Sequence, residues 1–204
     1  MYTPRFNQVS DRAVLIEAMR SYSFAVVFGP LASSETANAT HLPLVIKDEG
    51  PHGTIQGHFA RANPHWSALA HREALVVFSG PHTYVSPTLY VEALSVPTWN
   101  YIAIHASGTV DLVEDEAGKN ALLEDLIEIN EPVYAEKWRD MPQGFRSSML
   151  AGIVGFRIPI ARIEGKFKIS QNRAEAERRN VQAAHAAGTS DQQALAAWMA
   201  KIAL

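Results

Sequence analysis

The chain has 204 residues, 47% of them hydrophobic and 19% charged, with 18 Lys and Arg against 21 Asp and Glu for a formal net charge of −3. That size and balance suit one large domain, or one domain with a helical tail, around an ordinary packed core, and they carry no electrostatic footprint for nucleic acid. The absence of cysteine excludes disulfides, thiolate chemistry and Cys-containing zinc motifs. No leader-like apolar segment or membrane-spanning run stands out, so the chain reads as a soluble, cytoplasmic globular protein.

In chain order, Met1–Gln8 is a lead-in, and Ser10 caps a predicted helix over Asp11–Tyr22 with Val14, Leu15, Ala18, Met19 and Tyr22 on its apolar face. Phe24–Phe28 reads as a buried strand ended by Gly29-Pro30, and Leu31–Asn38, small and polar, as a loop. Thr40–Lys47 is a second strand, placed at an edge or bulge by Pro43. The turn Asp48-Glu49-Gly50-Pro51 joins it to a strand over Gly53–Ala60. That strand ends at Arg61, and Asn63-Pro64 begins a short helix running to His71. An Arg delivered to an open helix start is a candidate anion site; the plainer alternative is a capping Asn63 beside a solvated Arg61.

Ala74–Ser79 is a further buried strand, with Gly80-Pro81-His82 turning the chain into Thr83–Ser86. Thr98–Val113 alternates, with Gly108 marking a bulge or bend. Asp115–Asn130 is an amphipathic helix, and Pro132–Leu150 two short helical pieces broken around Pro142-Gln-Gly144. Val154, Phe156, Ile158 and Ile160 form the buried face of a strand that Pro159 suggests lies at an edge. From Arg173 onward the composition turns helical. Gly188 stops the first piece, and Ser190 with Gln193 makes a capping box for the second, whose stripe is Leu195, Trp198, Met199 and Ile202. The expectation is a mainly β, α+β fold: an antiparallel barrel over residues 1–172 with peripheral helices, followed by a helical extension over 173–204.

Three segments carry groups that a plain barrel does not need. His82, Tyr84 and Ser86 share a face of an extended segment, and Trp99 and Tyr101 share a face opposite Asn100. Lys166–Asn172 alternates cations with apolar residues and ends in Ser170-Gln171-Asn172. Such aromatic pairs can floor a planar ligand or fill a subunit contact, and the last segment can equally be a solvated strand end. The eight histidines show no HExxH or HxxxH spacing, there is no G-x-S-x-G, and phosphate loops of the P-loop or Rossmann kind are absent. No metal is expected, and no residue is singled out as catalytic.

Taken jointly, Met1-Tyr-Thr-Pro4, Thr40-His-Leu-Pro43, Gly57-His-Phe-Ala-Arg-Ala-Asn-Pro64, Gly80-Pro-His-Thr-Tyr-Val-Ser-Pro87, Val96-Pro-Thr-Trp-Asn-Tyr101 and Lys168-Ile-Ser-Gln-Asn172 resemble the PaiB-type FMN-binding negative transcriptional regulators. The resemblance implies an FMN-binding split β-barrel, similar to pyridoxamine-phosphate oxidases and flavin reductases, assembled as a homodimer with flavin at the subunit interface. It implies that Arg61 and Asn63, with His58 nearby, hold the phosphate, Lys168 being a second candidate cation. The backbone of His41, Leu42 and Pro43 would run beside the isoalloxazine. Trp99, Asn100 and Tyr101 of the other subunit would approach the ring, and Ser170, Gln171 and Asn172 would close one end. A dianionic phosphate needs fixed cations and N–H donors, and a broad ring needs apolar faces, so these residue types suit the ligand. Direct DNA binding does not follow from this charge balance, the Arg173–Arg179 cluster being interleaved with Glu175 and Glu177. Two alternatives stand beside a regulatory flavoprotein. One is an FMN-dependent oxidoreductase reduced by a nicotinamide donor, and the other a haem-binding barrel with His58 or His105 as axial ligand.

Overall fold

A computed structural model describes residues 1–31 and 34–202. In chain order the first elements are β1 (Gln8–Val9), α1 (Arg12–Ser21), β2 (Phe24–Leu31), β3 (Ser34–Pro43), β4 (Val45–Lys47) and β5 (Thr54–Ala60). Then come α2 (His65–Leu69), β6 (Glu73–Val85), β7 (Thr98–Thr109), β8 (Asp111–Val113), α3 (Glu116–Asn130), α4 (Tyr134–Asp140) and α5 (Gln143–Ala151). The chain ends with β9 (Ile153–Pro159), β10 (Arg162–Lys168), α6 (Glu175–Ala186) and α7 (Ser190–Lys201). This is the expected α+β mixture with antiparallel pairing. No described helix is long and apolar enough to cross a membrane.

The chain forms two compact units interleaved in sequence. The first comprises Met1–Leu15, Ser79–Ile104 and Glu164–Leu204, the second Ile16–Phe78 and His105–Ile163. In the first unit the strand order is β1-β10-β7-β6, with Gln8 opposite Lys166 and Val9 opposite Gly165. Helices α6 and α7 belong to the same unit. The Trp198 ring meets Phe167 of β10 edge to face at 5.3 Å, and Val181, Leu195 and Met199 are buried. Both sides of the 172/173 boundary drawn from composition therefore fall in one compact unit.

The second unit holds the order β7-β6-β2-β3 and a four-stranded sheet ordered β4-β5-β9-β8. Along β9, Val154, Phe156 and Ile158 are fully buried, as the period-two alternation requires, and the Phe156 ring lies 5.0 Å from that of Phe59 on β5. Strand β9 is interior to its sheet, not at the edge suggested by Pro159. That proline is the last residue of the strand, opposite Thr54, where its missing N–H interrupts no further pairing. Pro43 ends β3, which is the edge of its order.

Four other local expectations are corrected by tertiary context. Residues 34–38 of the expected loop are strand, paired with β2 in a register that sets Asn38 opposite Gly29; Ala32 and Ser33 lie outside the described residues. Gly80-Pro81 makes no turn, since β6 runs through it for 13 residues. Helix α1 is capped by Asp11, whose Oδ1 accepts from Ala13 N at 2.8 Å and Val14 N at 3.1 Å, rather than by Ser10. The capping box of α7 is Thr189 with Gln192, one residue before the expected pair.

Candidate functional site

Strand β7 opens in the first unit with strict alternation. Trp99 is 53% exposed, Asn100 is buried, and Tyr101 is half-buried on the Trp99 face. The neighbouring strand brings His82 and Tyr84 to that face, with ring centroids 6.3 Å from Trp99 in both cases. Lys166 lies 5.4 Å from the centroid of the Tyr101 ring. The outcome is a half-open aromatic surface with a flanking cation, able to cover one face of a planar ring.

The other face of β7 closes a cavity of about 120 Å³ lined by Tyr90, Thr98, Asn100, Lys168, Ser170 and Arg173, with Val96, Pro97 and Asn172 completing it. Asn100 Nδ2 donates to Ser170 Oγ at 3.0 Å, an interaction between two buried side chains 70 residues apart. Ser170 has φ 72°, the left-handed region disfavoured for a residue with a Cβ, so this loop is held in a strained backbone shape. Gln171 reinforces the turn by accepting from Ile169 N at 2.8 Å and donating to the Phe167 carbonyl. Lys168 Nζ donates to the Trp99 carbonyl at 2.6 Å and to Thr98 Oγ1. Burial pushes the Lys168 ammonium below the usual lysine range, and repulsion from Lys166 and Arg173 adds to it.

Two members of this cluster escaped the reading by motif. Arg173 stacks its guanidinium 3.8 Å from the centroid of the Tyr90 ring. Tyr90, 9% exposed, has a buried hydroxyl with no hydrogen-bond partner. Glu177 ties the wall together: its Oε1 accepts from Val91 N at 3.0 Å and Glu92 N at 3.1 Å, while Oε2 lies 3.8 Å from Arg173 Nη1. The available signal was Arg173 following Ser170-Gln171-Asn172 directly. Tyr90 sits in an irregular stretch without periodicity.

The second unit carries the remaining expected residues. Arg61 follows β5, and its guanidinium is engaged by main chain: Nε donates to Ala151 O at 2.9 Å and Nη2 to Ile153 O at 3.2 Å. Nη1 lies 3.9 Å from Glu114 Oε2, and Trp66 Nε1 donates back to the Arg61 carbonyl at 3.0 Å. Asn63 Oδ1 accepts from His65 N at 3.0 Å, and its Nδ2 donates to Thr40 Oγ1 at 3.3 Å. Helix α2 is only five residues long, so its dipole adds little to an anion site. His58 is pushed below the usual histidine range by burial, which keeps it neutral at pH 7. His41 and Pro43 are exposed on β3 while Leu42 is buried, and the His41 ring stacks with Phe24 at 6.2 Å. Because β3 is an edge strand, its outer backbone groups face away from its one partner. The expected residues thus form two groups, His41, Leu42, Pro43, His58, Arg61 and Asn63 in one unit, and Trp99, Asn100, Tyr101, Lys168, Ser170, Gln171 and Asn172 in the other. Among the described residues no group of three or more His, Asp or Glu could hold a metal ion.

The first unit thus offers an exposed aromatic face and, on the other side of β7, two cations among neutral polar groups. Comparison with known proteins bears on the choice of ligand. Residues 1–162 match the family model described as "Putative FMN-binding domain". The chain is 37% identical over 191 residues to protease synthase and sporulation protein PAI 2 of Bacillus subtilis, covering 89% of this chain and 87% of that protein. Among solved structures it is similar to the flavocytochrome Anf3 from Azotobacter vinelandii, with a TM-score of 0.61, 17% identity, and coverage of 81% and 72% of the two chains. The FAD and haem binding protein from Mycobacterium smegmatis aligns with a TM-score of 0.61 at 16% identity, over 79% and 73% of the chains. At these identities the structural likeness establishes the split-barrel fold alone.

Proposed function

The chain belongs to the PaiB-type family of FMN-binding domains, and on that premise we propose that it is a homodimeric flavoprotein that binds FMN without a covalent link. The observation that carries the reading is β7, which turns exposed Trp99 to one side and the Lys168–Arg173 cavity to the other. An aromatic face suits a flavin's ring, and paired cations suit a phosphate. Trp99, Tyr84 and Tyr101 cover the ring; Asn100, Lys168, Ser170, Gln171 and Asn172 supply polar contacts. In the second unit, the edge-strand backbone of His41–Pro43 and the side chains of Arg61, Asn63 and His58 are the remaining candidates for flavin contact. Exposed Tyr84 and Trp99, together with Tyr2 and Phe6, are large aromatic side chains that a second subunit would cover, which supports the dimer.

When bound, FMN supplies electron or hydride transfer. The protein's part is to fix the ring, hold the phosphate and keep water from one face. The net charge of −3 gives no electrostatic footprint for DNA, so a regulatory effect is assigned to the flavin's redox state or a small ligand. The test is the visible spectrum of the purified protein before and after addition of FMN and desalting. Flavin bands retained at one per chain support the proposal. A protein that stays colourless sinks it, and a Soret band would favour haem. Reduction of the bound flavin by NADH or NADPH in a stopped-flow trace would make the protein an oxidoreductase.

A further inference from the structure

The cavity behind β7 has features that no packing role explains. Its volume, about 120 Å³, is well below the roughly 300 Å³ or more typical of sites for drug-sized ligands, so it admits an ionic head group but not a flavin ring. No acidic side chain is among its lining residues, whereas Lys168 and Arg173 both are. Lys166 adds to the positive field felt by Lys168. The carboxylate of Glu177 touches Arg173 but is shared with two backbone N–H groups, so it offsets only part of that charge. The buried Tyr90 hydroxyl lacks a partner, a state that costs stability unless something entering the cavity satisfies it. Thr98, Asn100 and Ser170 add neutral polar groups, the last on a strained backbone.

We infer that this cavity is an anion site, shaped for a phosphate monoester or an inorganic phosphate dianion held by Lys168 and Arg173, with the Tyr90 hydroxyl donating to it. The site stands on the first unit alone and does not depend on where a flavin ring lies. Two sources share the chemistry: the 5′-phosphate of FMN, or a separate phosphorylated small molecule.

The probe is inorganic phosphate, titrated into the flavin-free full chain and followed by ³¹P line broadening. Saturable binding is expected, weakened about tenfold or more by Lys168→Gln or by Arg173→Gln, as loss of a charge-assisted hydrogen bond implies. Tyr90→Phe is the decisive variant because it deletes only the unpartnered oxygen. It should weaken phosphate binding several-fold while leaving the thermal midpoint unchanged or raised. A purely structural Tyr90 would instead lower the midpoint and leave phosphate affinity untouched, and that result overturns its part in the site. Absence of saturable binding, or wild-type affinity in both cation variants, overturns the site as a whole. Competition then separates the sources, each of which upholds it. Displacement of phosphate by FMN but not by riboflavin assigns the cavity to the flavin's own phosphate, and simultaneous binding of FMN and phosphate assigns it to a second ligand.

Discussion

Arg61 Nε donates to the carbonyl oxygen of Ala151 at 2.9 Å, tying the end of β5 to the end of α5. With Nη2 on the Ile153 carbonyl, two of the guanidinium's five N–H donors serve the fold. A fork presented to a phosphate would have to come from the remaining N–H groups, one side of which faces Glu114.

This arrangement sets up a contrast between two cations. Arg61→Ala is expected to lower stability by about 1 kcal/mol, the cost of losing modest hydrogen bonds at an exposed site. It should change the ratio of FMN to riboflavin affinity less than Lys168→Gln does. Parallel flavin titrations and urea denaturation of the two variants would show this. A larger loss of FMN selectivity in Arg61→Ala than in Lys168→Gln would return the phosphate to the β5 side.

The C-terminal helices are built into the first unit rather than laid upon it. Leu195 and Met199 are buried, and Trp198 covers fully buried Phe167. Trp198→Ala should cost about 3–5 kcal/mol, as large aromatic truncations in cores do. Removal of residues 190–204 should cost at least as much, read from the urea midpoint. A truncated chain as stable as the full one would show that α7 contributes nothing to the core.

Gly108 marks a place where two strands leave no room for a side chain. A Cβ there would sit 2.2 Å from the Pro159 carbonyl oxygen, a backbone atom that cannot rotate away. Gly108→Ala should therefore destabilise by about 1–3 kcal/mol, the range of overpacking that forces main-chain shifts. Thermal denaturation measures it directly. An unchanged midpoint would mean that β7 and the end of β9 separate at little cost.

How far the sequence alone reached depended on whether the controlling interaction was local. Alternation along Val154–Ile158 and the turn at Asp48–Pro51 are local, and both were legible. Residues 34–38 look like a loop because, Thr36 apart, their composition does not favour a strand; pairing with β2 makes them one. Gly80-Pro81 carries a turn signature, yet β6 continues through it because neighbouring strands hold it extended. At the site, the opposite faces of Trp99 and Asn100 followed from strand periodicity. The contact of Arg173 with Tyr90 did not, because it joins two irregular segments 83 residues apart that neither share a motif nor fall on one element.

His65 makes stability depend on pH in a direction that can be worked out. It is fully buried; its Nδ1 lies 2.8 Å from Thr40 Oγ1, which in turn accepts from Asn63 Nδ2. The Thr40 hydroxyl can accept from Asn63 and still donate its own proton to Nδ1, an arrangement that suits a neutral imidazole. Burial pushes its pKa below the ordinary 6.5, and the nearby Gly29 backbone offsets only part of the shift. His58 and His185 are lowered by burial as well. A lowered folded-state value means that, between it and 6.5, the unfolded chain binds more protons than the native one. These groups therefore contribute their full stability above pH 6.5, and it drains away as the pH falls through 6.5 toward the folded values. Urea midpoints taken between about pH 7.5 and 5.5 avoid most carboxylate titration and should decline steadily. His65→Gln should begin from a lower midpoint and show a shallower decline. A midpoint flat across that window, or the wild-type slope retained in His65→Gln, would remove His65 from the account.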